Sequence, residues 1–201
     1  VKKMKRYLLL LVLLTTVLLV ACGNNATDKQ TGTAKENDSE NAVKNTNEEQ
    51  INNRKFKVTL PKAVDQLKET YSSASLTGVE LEKDWGNFVY EVSGVDDERS
   101  YKVEINAETG ELMSKKAKKL DKEDRGGVEK QQDSFTLDDL MTMDEVMELT
   151  LKEAGKGYVT QLTLEKELDF RFYEITVMDG DKESTYKIDA KTGKVLEVEE
   201  D

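Results

Sequence analysis

Residues 103–113, Val-Glu-Ile-Asn-Ala-Glu-Thr-Gly-Glu-Leu-Met, and residues 186–196, Tyr-Lys-Ile-Asp-Ala-Lys-Thr-Gly-Lys-Val-Leu, carry one pattern 83 positions apart. Each begins as the end of an alternating strand, passes through an Asn/Asp-Ala-x-Thr-Gly turn, and resumes with a short apolar strand. Glycine closes the turn because it takes positive φ at little cost. The same offset holds upstream without a gap. Thr59 falls on Thr142, Ala63 on Val146, Val64 on Met147, and Val79 and Leu81 on Leu162 and Leu164. Tyr90-Glu91-Val92 falls on Tyr173-Glu174-Ile175. Apolar positions match apolar positions over the whole stretch, the signature of an internal repeat.

Both copies read in the same order. A short helix comes first. Thr142-Met143-Asp144-Glu145 is a capping box, and Thr59 holds the same place in copy one, with Pro61 in the first turn, where a missing N–H is harmless. Val64, Leu67 and Tyr71, and Met143, Met147 and Thr150, recur at about helical spacing. Alternating strands follow: Val79 and Leu81, then Phe88, Tyr90 and Val92, then Tyr101, Val103 and Ile105. Copy two has Leu162 and Leu164, then Tyr173, Ile175 and Val177, then Tyr186 and Ile188. Gly94–Arg99 and Asp179–Glu183 read as hairpin loops. A last strand starts at Leu112-Met113 and at Val195–Val198. The expected fold class is α+β: two repeats, each a helix packed on a four-stranded antiparallel sheet with one solvated face. At about 60 residues each the cores are small, so the two copies should touch.

A helix, alternating strands, then Tyr186-Lys187-Ile188-Asp189-Ala190-Lys191-Thr192-Gly193-Lys194-Val195-Leu196 resembles the end of a PepSY domain. The first copy departs with Asn106 for Asp and Glu111 for Lys. The resemblance covers roughly 57–116 and 140–199. It implies a cystatin-like α+β fold. PepSY domains occur in propeptides of thermolysin-type metallopeptidases, in spore-germination proteins and in envelope lipoproteins, where binding and restraint of peptidases is the usual suggestion. No catalytic residues come with the family.

Ahead of the repeats, residues 1–6 hold Lys2, Lys3, Lys5 and Arg6, and residues 7–21 are uncharged and almost wholly apolar. That length suits a signal-peptide core better than a spanning helix, which needs ~20 residues. Leu19-Val20-Ala21-Cys22 resembles a bacterial lipobox. The resemblance implies cleavage between Ala21 and Cys22 and diacylglycerol on the Cys22 thiol, the only thiol in the chain. Two acyl chains suffice for stable anchoring, since each buried methylene contributes ~0.8 kcal/mol. Residues 23 onward are polar and charged and cannot offset the entropy of ordering. The expected organisation is a signal peptide at 1–21, a disordered tether at 22–55 reaching roughly 30 Å as a coil, repeat 1 at 56–116, a charged linker at 117–138, and repeat 2 at 139–201.

Composition narrows the chemistry. The net charge is −11; removing the four positive charges of residues 1–21 leaves −15. Such a surface repels nucleic acid, whose binding needs clustered Lys and Arg. The absence of histidine and of a second cysteine removes Ser-His-Asp and Cys-His sites and Cys-based zinc. Asp96-Asp97-Glu98 and Asp179–Glu183 lack EF-hand spacing and read as hairpin tips. Met141, Met143 and Met147 could suit copper(I), but read as core packing. Trp85, matched to Leu168, is expected at a buried sheet edge. Lys115, Lys116, Lys118 and Lys119, followed by acids, read as a solvated helix end. Glu91 and Glu174 are expected on a solvated sheet face. No cofactor, metal or enzymatic activity is expected. The expected partners are the membrane, through the lipid on Cys22, and an envelope protein or peptidase, met at a sheet edge or loop surface. The alternative is a non-inhibitory structural or sensory lipoprotein of the envelope.

Overall fold

The computed structural model describes residues 49–201. The expected signal peptide, Cys22 and residues 22–48 of the expected tether lie outside them. Repeat one comprises α1 (Leu60–Thr70), β1 (Ser75–Asp84), β2 (Asn87–Val95), β3 (Arg99–Asn106) and β4 (Leu112–Lys119). A short α2 (Val128–Asp133) follows. Repeat two comprises α3 (Met143–Ala154), β5 (Tyr158–Glu167), β6 (Phe170–Asp179), β7 (Lys182–Asp189) and β8 (Val195–Glu200).

The helices start as their sequences dictate. Thr142 accepts from the Glu145 N–H at 3.3 Å while the Glu145 carboxylate accepts from the Thr142 N–H at 2.8 Å, a complete capping box. Thr59 caps α1 by backbone geometry alone, with no side-chain bond. Leu60, Ala63, Val64 and Leu67 bury one stripe of α1; Val146, Met147 and Thr150 bury that of α3. Buried Thr150 returns its hydroxyl to the Val146 carbonyl at 2.7 Å, so the polar group is satisfied. Strand alternation follows the expectation: Val79, Leu81, Phe88, Tyr90, Val92, Val103 and Ile105, with Leu162, Leu164, Tyr173, Ile175, Val177, Tyr186 and Ile188 of repeat two, are buried in one core cluster.

The two copies meet edge to edge. Their sheets join into one antiparallel sheet of eight strands, ordered β4-β3-β2-β1-β5-β6-β7-β8. At the seam Glu80 lies opposite Thr163, its own equivalent 83 positions on, with Val79 opposite Leu164 and Leu81 opposite Leu162. This register places a pseudo-twofold axis through the Glu80–Thr163 pair, normal to the sheet. Directly opposed residues in an antiparallel pair point to the same face, so both helices cover one face and share one core.

Two boundaries differ from the expectation. The ordered body already includes residues 51–55, which were assigned to the tether: Ile51 is 0% and Asn52 7% exposed. The Ile51 N–H donates to the Val159 carbonyl at 2.8 Å, and the Asn52 side-chain oxygen accepts from the Val159 N–H at 2.7 Å. A single apolar residue at 51, inside a polar run, was too little signal. The 117–138 linker is also structured. Its first three residues complete β4, Leu120 and Asp124 are buried, and Phe135 and Leu137 pack on the core. The basic run at 115–119 is thus an edge strand, not a helix end, because alternate lysines on an edge face solvent on both sides.

These two segments are counterparts. Val58 donates to the Ala107 carbonyl at 3.0 Å, and Met141 donates to the Ala190 carbonyl at 2.8 Å, at equivalent positions. Ile51 of the first arm bonds Val159 of repeat two, while Phe135 of the second arm donates to Leu76 of repeat one at 3.0 Å. Each repeat therefore extends upstream of its helix, from Ile51 and from Phe135, and the extensions cross the seam.

Candidate binding surfaces

The motif turns are scaffold. Asn106 accepts through its side-chain oxygen from the Glu108 and Thr109 N–H groups at 3.0 and 2.9 Å. Asp189 does the same for Lys191 and Thr192 at 3.1 and 2.7 Å, and also takes the Thr192 hydroxyl at 2.8 Å. Either residue offers the one oxygen that the turn needs, which explains why Asn can stand for Asp. Burial alone would raise the Asp189 carboxyl; the bonds from Thr192 and Lys191 outweigh it and hold the group below its ordinary value. Gly193 sits at φ +72°, and a Cβ there would lie 2.8 Å from Leu149 and 2.9 Å from the Met141 sulfur.

The residues weighed for metals have other work. Asp96 accepts from the Glu98 and Arg99 N–H groups and from the Ser73 and Tyr101 hydroxyls, all within 2.8 Å. Burial is the largest single influence and raises its carboxyl, but the four bonds together outweigh it and bring the group down to about 2. Its equivalent, Asp179, pairs with Lys156, which is the equivalent of Ser73. Met147 is buried, Met141 packs beside Gly193, and the Met143 sulfur takes the Tyr90 hydroxyl at 3.6 Å. Tyr173, buried so that its hydroxyl is pushed up to about 12, donates to the Met141 carbonyl at 2.7 Å. Both core tyrosines thus pin the start of α3 to the sheet.

Trp85 is not at a buried edge. It is 95% exposed at φ +45°, on the tip between β1 and β2. Leu168, its match, is 80% exposed at φ +56°, on the tip between β5 and β6, beside Phe170 at 64%. The repeat aligned the two positions correctly, but the shared feature is a left-handed turn, not burial. Because β1 and β5 are antiparallel, the two tips point to opposite ends of the sheet.

The uncovered face carries carboxylates in register. Glu104, Glu91 and Glu80 lie opposite one another on β3, β2 and β1, and Glu174 lies opposite Thr163 on the far side of the seam. Like charges directly opposite repel. Lysines relieve part of this: Lys102 pairs with Glu91, Lys116 with Glu104 at 3.2 Å, and Lys187 with Glu167 and Glu174 at 3.2 and 3.8 Å. Near the seam relief is thinner. Burial, with Glu80, Asp84 and Glu91 adding repulsion, pushes Glu82 up to about 7. Burial likewise raises Glu80, despite a hydrogen bond from Gln161, and raises Glu165. Glu91 and Glu174 lie on this face, as expected, about half-buried among neighbouring side chains.

Two further surfaces are the edges of the sheet. Among the described residues β4 and β8 each have a strand neighbour on one side only. Among the described residues, no group of three or more His, Cys, Asp or Glu is placed to hold a metal, and no helix is long and apolar enough to cross a membrane.

Comparison with known proteins agrees with this architecture. The model of the family "Peptidase propeptide and YPEB domain" (PepSY) matches twice, at residues 57–116 and 140–199. A crystallised candidate lipoprotein of Clostridium difficile 630 is 38% identical, with a TM-score of 0.72, over 76% of this chain and 99% of that one. The YpmB protein of Bacillus subtilis aligns over 69% of this chain and 94% of its own at 18% identity, but its TM-score of 0.30 carries no argument. No curated protein is similar enough to count as a match. Two family matches over most of the described residues, each coinciding with one half of a pseudo-symmetric sheet, establish that this chain belongs to the PepSY family and carries the domain in tandem.

Proposed function

We propose that the chain is an extracytoplasmic lipoprotein, cut between Ala21 and Cys22 and held on the outer face of the cell membrane by lipid on Cys22. Its paired PepSY repeats bind a protein partner of the envelope, a surface or secreted peptidase among the candidates, and catalyse no reaction. The observation that carries this reading is a sheet whose two end strands, among the described residues, have a strand neighbour on one side only and so offer main chain on the other. Such an edge can take an extended segment of a partner as a further strand. The family's name and the similar lipoprotein support the peptidase and envelope elements. Three of the four buried polar or charged residues among the described residues, Asn52, Asn106 and Thr150, are engaged in main-chain bonds, which suits a scaffold role.

Capture on the full chain from native membranes, followed by titration of the captured peptidases, tests the reading. It expects one or more envelope proteins held stoichiometrically, and slowed turnover where the partner is a peptidase. Mass spectrometry of Cys22 tests the anchor separately, with a diacylglycerol adduct expected and a bare thiol contradicting it. A non-inhibitory sensory role is favoured by one observation, the crowding of carboxylates on the uncovered face, where burial and the neighbouring Glu80, Asp84 and Glu91 push Glu82 up to about 7. A partner whose binding changes between pH 6 and pH 8, with peptidase activity untouched, would select it.

A further inference from the structure

The two edge strands, each without an outer strand neighbour among the described residues, differ in charge. β4, Leu112–Lys119, contains Lys115, Lys116, Lys118 and Lys119 and no acid; β8, Val195–Glu200, contains Glu197, Glu199 and Glu200 and no base. Of these lysines only Lys116 has an ion pair among the described residues, and none of the three glutamates does. Apolar side chains lie exposed among them: Met113 at 44%, Leu196 at 47% and Val198 at 44%.

Strand direction fits as well as charge. Every neighbouring pair in the sheet is antiparallel. Counting outward from the seam, β4 and β8 therefore run in opposite directions. A second copy displaced along the sheet brings its β8 beside the first copy's β4 as an antiparallel neighbour, with its helices on the same side. The faces agree too. Lys116 lies opposite Lys102, and Glu197 opposite Lys187, on the uncovered face, so Lys116 and Lys118 share that face with Glu197 and Glu199.

We infer that a second copy of this chain adds its acidic β8 to the basic β4, continuing the sheet head to tail. Lysines on an edge usually guard against strand addition. Here the guard acts only between like edges, since β4 against β4 or β8 against β8 sets equal charges face to face. The unlike pairing is left open, and it does not close on itself: each added copy exposes a new β4 or β8, giving a row. Strand twist turns each copy relative to the last, so the row winds slowly. The inference rests on the same open edges as the partner reading but needs no other protein. Capture of an envelope partner can therefore succeed where self-association fails, and the reverse.

The test is sedimentation velocity of the purified full chain in mild detergent, over a concentration series at low and at high salt. The expected result is a sedimentation coefficient that rises with concentration at low salt and much less at high salt. Lys116→Glu with Lys118→Glu, and separately Glu197→Lys with Glu199→Lys, should each weaken association roughly tenfold or more. Mixing the two variants should restore it, as should combining all four changes in one chain; restoration cannot come from misfolding. A monomer at every concentration, or association unmoved by both reversals, overturns the inference.

Discussion

At the scale of single residues, backbone conformation decides more than side-chain type. Gly193 closes a turn at φ +72° against Leu149 and Met141. Gly193→Ala adds left-handed strain of about 1 kcal/mol or more and an overpacked contact costing about 1–3 kcal/mol. Urea unfolding should therefore show a loss of roughly 2 kcal/mol or more, although only one methyl is added. Glu82 makes a pH prediction. A carboxyl whose pKa is raised in the fold contributes stability that is full below its unfolded value and is lost as pH rises. For Glu82 that window runs from its ordinary 4.5 up to about 7. Glu82→Gln cannot ionise, so it should flatten the fall in stability across this window. At pH 8 it should be more stable than the parent by about 0.5–1 kcal/mol, a figure discounted because solvent screens a partly exposed group. Melting curves at pH 4.5 and pH 8 check both statements.

At the scale of elements, the two copies divide labour unequally between identical positions. Thr142 makes a full capping box and Thr59 makes no side-chain cap. Thr142→Ala should cost about 1 kcal/mol, and Thr59→Ala a few tenths at most, by chemical denaturation. The box was legible because Glu145 stands three residues after Thr142, whereas the residue at that place in copy one is Lys62. Strand faces were legible for a similar reason: period-two alternation in Tyr101-Lys102-Val103-Glu104-Ile105 has one reading once the turn beyond it is fixed. Trp85 was not legible. A large apolar residue argues for burial, and only the two-residue tip, with its positive φ, sends it into water. The β4 strand at Lys115–Lys119 was not legible either, because an edge strand lacks the alternation that marks a half-buried one.

At the scale of the whole described body, the repeat specified two equivalent units but not how they join. The seam is written in the pairing of β1 with β5, where Glu82 lies opposite Gln161 and Glu80 opposite Thr163. Polar pairs of that kind occur on any solvated face, so nothing marked these strands as partners. The crossing arms were hidden for another reason. Residues 51–58 and 134–141 share main-chain partners more than side-chain types, and the offset slips by one residue at Ile51 and Phe135. The arms nonetheless hold the units together. Asn52→Ala would strip the buried Val159 N–H of its side-chain acceptor, at a cost of about 1–3 kcal/mol. Unfolding should remain a single transition with a lower midpoint, since both repeats feed one core.

The seam itself offers the most direct test. Opposed residues of an antiparallel pair have Cα atoms about 4.5–5.5 Å apart, within reach of a disulfide. With Cys22 replaced by Ser, Glu80→Cys together with Thr163→Cys should oxidise to an intramolecular disulfide. Peptide mapping should find it joining two strands that are each other's equivalents, in a chain that still runs as a monomer at low concentration. Free thiols under oxidising conditions, or bonds formed only between separate chains, would show that the two PepSY repeats do not share one sheet about this axis.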